Sequence, residues 1–289
     1  MASRLGAYVL PGDPVWLEET LRQYYPLLDD LVVPVPDGGI GWAGRPLPVD
    51  ECLAIIRRVD SRGVARVIHG SWVEPQSPMK GDTAQRQAAL DALAGTVDWA
   101  LQLDSDEFLP RPAVIAELIA LADAHGADAV ELPMRVLFRR TARHVFEITA
   151  ADGAPHHEYP GAVLVRPTVR LADARRVEGR FVRVVCDEAS GSLQLSRAPE
   201  PHEARAGGFD PADVIIHNSW ARTPSEVRQK VASWGHAKDV HPGLYYWLRW
   251  WPAPALWWAT RDFHPFSRGL WPRLRRIRNE GVVADSPRP

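Results

Sequence analysis

The 289-residue sequence predicts an α/β fold: a mainly parallel sheet flanked by helices, followed by a helical, tryptophan-rich C-terminal extension. Three observations carry that prediction. Strand-like and helix-like segments alternate through the first hundred residues, the pattern of a parallel sheet with crossover helices. The fourth strand-like run, residues 97–103, ends abruptly in Asp104-Ser105-Asp106-Glu107. Seven of the twelve tryptophans fall between Trp234 and Trp271, which marks the end of the chain as a distinct segment.

Residues 5–10 (LGAYVL) read as the first strand. Asp13-Pro14 offers an N-cap and first-turn pair, and Trp16, Leu17, Leu21 and Tyr24 then recur at helical spacing. Residues 31–35 (LVVPV) form a second strand ending at Asp37-Gly38-Gly39, and a Gly/Pro-rich loop runs to Pro48. Asp50 is placed to cap a helix carrying Leu53, Ile56 and Val59, which Gly63 closes. Residues 64–69 give a third strand, and Asp82 opens a helix reaching Gly95. After the fourth strand, Pro110-Arg111-Pro112 starts a helix over 114–124, and 128–136 returns as a strand. Residues 139–210 mix short alternating strands with charged loops and read as an acceptor-side region of the same domain. Residues 213–217 form a last strand, and Thr223-Pro224-Ser225-Glu226 opens a helix to about His236. The expected organisation is a catalytic domain over 1–233, with a donor half near 1–110 and an acceptor half near 111–233. A Trp/Arg-rich helical extension over 234–289 follows.

A net charge of −2 gives no global case for nucleic acid as a partner. Two cysteines, Cys52 and Cys186, make neither a disulfide framework nor a metal knuckle, which suits a reduced cytoplasmic setting. The N-terminus carries no signal-peptide pattern, and no run of about 20 uncharged apolar residues is present to span a membrane. The expectation is a cytoplasmic protein, with peripheral contact at the inner membrane face open through its C-terminal segment.

Two carboxylates two residues apart, at the end of a buried strand, suit a hard divalent cation. Asp104 and Asp106 can share Mg²⁺ or Mn²⁺ with substrate phosphates, leaving other coordination positions to water. Acidic residues entering a helix N-terminus are the structural alternative. Asp-x-Asp also opens the motif of haloacid-dehalogenase-like phosphatases, but there it follows the first strand and here the fourth. In parallel sheets ligands lie beyond the carboxyl ends of the strands, where Asp37 and the 104–107 cluster both fall.

The helix carrying Asp82, Arg86 and Gln87, followed by Asp98-Trp99-Ala100-Leu101-Gln102-Leu103 and Asp104-Ser105-Asp106-Glu107, resembles family 2-type glycosyltransferases of the GT-A fold. Their pattern is an Arg-Asn helix, a Gly-Asp-Trp-hydrophobic strand and Asp-x-Asp-Glu. Gln87 stands in the Asn position, and Pro34-Val35-Pro36-Asp37-Gly38-Gly39 replaces Val-Asp-Asp-Gly-Ser. A second block, Ile216-His217-Asn218-Ser219-Trp220 with Ser225-Glu226-Val227-Arg228-Gln229-Lys230, is similar to the His-Tyr-Ser…Ser-Pro-Glu-Glu block of such enzymes. The resemblance implies a metal-dependent inverting transferase moving a sugar from a nucleotide-diphosphate donor to a hydroxyl of a glycan, lipid-linked or small-molecule acceptor. It implies Asp37 at the nucleoside, Asp104 at the ribose or metal, Asp106 at the metal, and His217 at the metal or diphosphate. Arg86 would approach the nucleotide or sugar and Lys230 the diphosphate. For the general base it points to Glu203, in His202-Glu203, with Glu188, in Asp187-Glu188, as the rival.

His156-His157-Glu158 looks like a metal cluster, but adjacent side chains converge poorly, and a surface loop is the expectation. The tail, with Tyr245-Tyr246-Trp247-Leu248-Arg249-Trp250-Trp251, Trp257-Trp258 and Arg273 to Arg278, has three readings. It is a packed helical cover, a membrane-interface segment, or an aromatic platform for sugar. Two rival functions stand beside glycosyl transfer. One is a sugar-1-phosphate nucleotidyltransferase, for which Pro11-Gly12-Asp13-Pro14 is not the expected Gly-rich, arginine-bearing loop. The other is an inactive sugar- or membrane-binding relative.

Overall fold

A computed structural model describes residues 3–233, 242–265 and 267–279; the last turn expected for the helix after Thr223, residues 234–236, lies outside them. In chain order the elements are β1 (Leu5–Tyr8), α1 (Leu17–Tyr24), β2 (Asp30–Pro36), α2 (Val49–Val59), β3 (Ala65–Gly70), α3 (Pro78–Leu93), β4 (Trp99–Leu101), β5 (Glu107–Phe108) and α4 (Val114–Ala124). There follow β6 (Ala129–Glu131), β7 (Met134–Arg140), β8 (His144–Thr149), β9 (Leu164–Val165), β10 (Arg170–Asp173), β11 (Arg176–Glu178), β12 (Phe181–Cys186) and β13 (Glu203–Phe209). The chain ends with β14 (Ile215–His217), α5 (Pro224–Ser233), α6 (Pro242–Tyr245), a π-helical turn (Tyr246–Trp250), α7 (Ala253–Leu256) and β15 (Arg273–Arg278).

The fold class is the expected one: mixed α/β, with a large, mostly parallel sheet flanked by helices. The chain divides into two compact units built from interleaved segments. The first comprises 1–133, 159–188 and 197–215; the second comprises 134–158, 189–196 and 216–289. The region 139–210 is thus shared between units rather than forming one acceptor-side block, and 216–233 groups with the tail.

The first unit holds the large sheet, ordered β13-β12-β6-β9-β4-β1-β2-β3. Every neighbouring pair in it runs parallel except those of β9, which is antiparallel to β4 and to β6. Its core joins Tyr8, Val32 and Ala100 of the sheet to Ala89, Leu90 and Leu93 of α3. Gly6 permits that approach, since a Cβ there would stand 2.9 Å from both Leu93 and Val97. A two-stranded β10–β11 ribbon completes the unit. In the second unit β8 pairs antiparallel with both β7 and β15. The arginine-rich end 273–278 is therefore a strand rather than part of a helical extension. Phe138, Phe146, Trp220, Tyr245, Trp250, Phe263 and Trp271 fill this unit's core.

Several element boundaries depart from the sequence reading for local reasons. Asp13 closes a turn by accepting from the Val15 N–H (3.1 Å), and α1 begins only at Leu17. Asp50 lies in the first turn of α2, where its charge suits the dipole, rather than at the cap. Helix α3 starts at Pro78, so Asp82 sits inside it. The predicted strand over 128–136 breaks at Pro133, which has no N–H to donate, and becomes β6 and β7. Helix α5 opens where expected, closed by a capping box in which the Thr223 N–H donates to Glu226 (2.8 Å).

Candidate functional site

The carboxyl edge of the first unit's sheet gathers Asp37, the 104–107 cluster and Glu188 of the acidic residues that the sequence singles out. Strand β4 ends at Leu101, and the chain turns through Asp104-Ser105-Asp106 before β5. The turn is closed from both sides. The Glu107 N–H donates to the Asp104 carbonyl (3.0 Å), and the Asp104 N–H donates to the Glu107 carboxylate (3.1 Å). The Thr20 hydroxyl on α1 holds the Ser105 carbonyl (2.9 Å).

Arg86, the arginine of the family-like helix, is buried behind this turn. It donates to Asp82 (2.6 Å) and, through another nitrogen, to Asp104 Oδ1 (2.9 Å). Tyr8, at the end of β1, lies 3.4 Å from the same guanidinium and donates its hydroxyl to Gln102 (2.8 Å). Burial pushes the Tyr8 phenol up to about 12. Burial alone would also raise the Asp104 carboxyl, but Arg86 and then Arg175 outweigh it and hold the group below its ordinary range. Asp106 opposes that fall, which puts the two carboxylates within electrostatic reach of each other. The Asp104 side chain keeps a third of its surface exposed, whereas Asp106 is buried.

Glu107 has a different role from its neighbours. Its side chain is fully buried and takes both arms of Arg175 at 2.6 and 2.7 Å. Arg175 also donates to the Gln102 carbonyl (2.7 Å), tying the β10–β11 ribbon to the root of the acidic turn. Gly161, with φ +138°, lets the chain pass Arg175, because a Cβ there would lie 2.9 Å from its backbone. Gln87 pins the same ribbon: its carbonyl accepts from the Leu171 N–H (2.9 Å) and its amide donates to the Val169 carbonyl (3.2 Å). Sequence reasoning missed Arg175. The local hint in the sequence is the charged run Asp173-Ala174-Arg175-Arg176.

Asp37 is exposed in the turn after β2, on the same edge as Asp104 and two strands across. At ~4.8 Å per strand that is about 10 Å. Glu188 follows the carboxyl end of β12 and is also on this edge. Glu203 is not. It opens β13, in register with Phe181 and Ala129 at the amino ends of β12 and β6. That places it at the opposite end of the strands, four strands from β4, or roughly 19 Å sideways. Its side chain is fully buried against Arg183 (2.8 Å) and Arg205 (2.6 Å). Burial works to raise its carboxyl, but the Glu200 N–H and the two arginines win and hold it low. The structure thus sets Glu203, the expected base, apart from the acidic turn and pairs it with two arginines.

His217 and Lys230 belong to the second unit. His217 is among the groups that act on Glu158 there, and Lys230 donates to the Ser219 hydroxyl (2.8 Å). His156 and His157 are buried and Glu158 is partly buried, so the segment is not a surface loop; Met134 and Glu158 pair their backbones at 2.9 Å and draw it in. Burial, followed by Arg135, lowers the His157 imidazole to about 4. Glu158 accepts from the Trp271 indole, and His156 Nε2 stands 3.7 Å from its carboxylate. His156, Gly191, Ser192, Leu193 and Leu270 line a cavity of about 650 Å³ within this unit.

Among the described residues no three histidine, cysteine or acidic side chains converge to hold a metal alone. Asp104 and Asp106 nevertheless suit a divalent cation of the kind substrate brings with it. Such ions are bound through one or two carboxylates, with phosphate oxygens and water completing the shell.

No protein-family model matches the sequence, and no curated protein matches it. Among solved structures, the chain is similar to 4-diphosphocytidyl-2C-methyl-D-erythritol synthase from Anaerococcus prevotii, at 13% identity and TM-score 0.34 over 57% of this chain and 71% of that one. It is similar to CMP:2-keto-3-deoxy-manno-octonic acid synthetase complexed with CTP, at 10% identity and TM-score 0.34 over 58% and 75%. A Mycobacterium tuberculosis protein in complex with manganese matches at 15% identity and TM-score 0.32 over 73% and 93%. These likenesses assign no activity to this chain. No helix among the described residues is long and apolar enough to cross a membrane.

Proposed function

We propose that the protein is a transferase that takes a nucleotide-activated sugar at the carboxyl edge of its large sheet. The observation that carries this reading is the pair of close carboxylates after β4, one buried and one partly open, braced by Arg86. Asp104 and Asp106 would hold Mn²⁺ or Mg²⁺, which when bound neutralises charge on the phosphates of the reacting nucleotide. Arg86 keeps Asp104 ionised at neutral pH, so the turn is ready to receive a cation. Arg175 and Glu107 fix the backbone of the turn. Asp37, exposed on the same edge, is offered to the nucleoside. Glu188 replaces Glu203 as the acid proposed to take the proton of an acceptor hydroxyl.

The chemistry has two forms. Glycosyl transfer with inversion is implied by the sequence resemblance, and the loop 9–16 after β1, which holds no arginine or lysine, favours it. Nucleotidyl transfer uses the same carboxylates on a nucleoside triphosphate, and the synthetase solved with CTP supplies the comparison for it. One assay separates them. The full chain with Mn²⁺ is given nucleotide-diphosphate sugars in one arm and nucleoside triphosphates with sugar 1-phosphates in the other. Release of nucleoside diphosphate supports glycosyl transfer, and release of pyrophosphate supports nucleotidyl transfer. Asp106→Ala is expected to abolish either signal while its circular dichroism stays unchanged. Undiminished turnover in that variant would overturn the metal site.

A further inference from the structure

We propose that residues 244–258 of the second unit form a docking surface for an anionic lipid interface, independently of the transferase reading. Pro242–Tyr245 and Tyr246–Trp250 make one continuous helical run with two apolar faces. The first face is already used. Tyr245, Tyr246 and Trp250 are buried in the unit's core, where the Tyr245 hydroxyl donates to the Phe263 carbonyl (2.8 Å) and the Trp250 indole to the Trp220 carbonyl (3.0 Å).

The other face is Leu244, Trp247, Leu248 and Trp251, spaced i, i+3, i+4 and i+7, with exposures of 58%, 58%, 59% and 46%. Leu256 and Trp258 follow at 45% and 65%. These six are most of the large hydrophobic side chains that stand exposed among the described residues, so the apolar surface is gathered in one short segment. A helix that is apolar all round is normally covered on all sides. Here the described fold covers one side.

Charge selects the occupant. Residues 242–261 contain no aspartate or glutamate, and the two ionisable side chains outside the tyrosines are Arg249 and Arg261, both exposed. Tryptophan rings with flanking arginines match the headgroup layer of a bilayer, where indoles sit at the boundary and guanidiniums meet anionic phosphates. A symmetric dimer through this face would instead bring Arg249 against its own copy, with no acid within 242–261 to meet it. With no described helix fit to cross a bilayer, the contact is interfacial.

The test is co-sedimentation of the full chain with vesicles of phosphatidylcholine and phosphatidylglycerol in equal parts, against phosphatidylcholine alone. The wild type is expected to bind the anionic vesicles, to bind less as salt rises, and to show a blue-shifted tryptophan emission. The variant Trp247→Ser/Trp251→Ser/Trp258→Ser alters only exposed rings; it should keep its melting temperature and bind at least about tenfold more weakly. Arg249→Glu/Arg261→Glu should lose the preference for anionic lipid. Failure of the wild type to sediment, or equal binding by the triple variant, overturns the proposal. So does a concentration-dependent dimer in ultracentrifugation that the triple variant abolishes, because the face would then belong to a second copy.

Discussion

Replacing Arg175 with methionine tests whether Glu107 is the anchor of the acidic turn. The two side chains are 4% and 0% exposed, joined by two short hydrogen bonds, and Arg175 adds a third to the Gln102 carbonyl. Methionine retains most of the stem volume, so the perturbation is mainly the loss of the guanidinium. A buried carboxylate stripped of its partner costs about 3–5 kcal/mol. Arg175→Met should therefore destabilise by about 3–5 kcal/mol in urea unfolding followed by circular dichroism. In Glu107→Gln/Arg175→Met the stranded charge is gone, and the double variant should be more stable than the sum of the singles predicts by about 2 kcal/mol. An Arg175→Met cost under about 1 kcal/mol, or additive singles, would refute the anchoring role.

Two further outcomes follow from the titrating groups. His157 is buried with its imidazole at about 4, against 6.5 ordinarily, so the unfolded chain binds the extra proton between those values. Stability should fall as pH drops from about 6.5 to 4, by up to roughly 3 kcal/mol, and His157→Gln should flatten that part of the curve; an unchanged slope would contradict it. Among the candidate bases, Glu188→Gln should cut kcat by about 10²-fold or more at an unchanged melting temperature. Glu203→Gln should lower the melting temperature and leave turnover per folded molecule intact. The reverse result would return the base to the amino edge of the sheet.

The parallel half of the first unit was legible because its signals are local. Residues 31–35 and 64–69 sit in extended runs bounded by turn residues, and each became a strand within one or two positions at its ends. The Asp104 turn was legible for the same reason, as an apolar strand cut off by charge. The position of Glu203 was not, because it was placed by its spacing before His217, and spacing along the chain does not give the direction in which a strand enters a sheet. Inserting antiparallel β9 between β4 and β6 puts β13 at the far edge, with Glu203 at the wrong end. His156 and His157 looked exposed because they are polar and adjacent. Their burial depends on pairing with Met134, more than twenty residues earlier. The tail resisted a single reading because one of its faces is packed and the other open.

What separates the acid proposed to hold a cation from the structural ones in this chain is the way an arginine meets it. Only three lysines are present, so buried carboxylates are met almost entirely by guanidiniums, whose paired N–H groups match a carboxylate edge. Arg175 grips both oxygens of Glu107, Arg135 both oxygens of Glu147, and Arg111 both oxygens of Asp213, while Arg183 and Arg205 divide Glu203. A carboxylate held that way has its lone pairs committed and its charge balanced, which suits a scaffold and disfavours a metal ligand or a base. Asp104 differs in kind. Arg86 reaches its Oδ1 through a single nitrogen, and a third of its side chain faces outward. The guanidinium lowers its pKa without enclosing it, and this leaves Asp104 with carboxylate surface still open at the sheet edge, where the cation is proposed to bind.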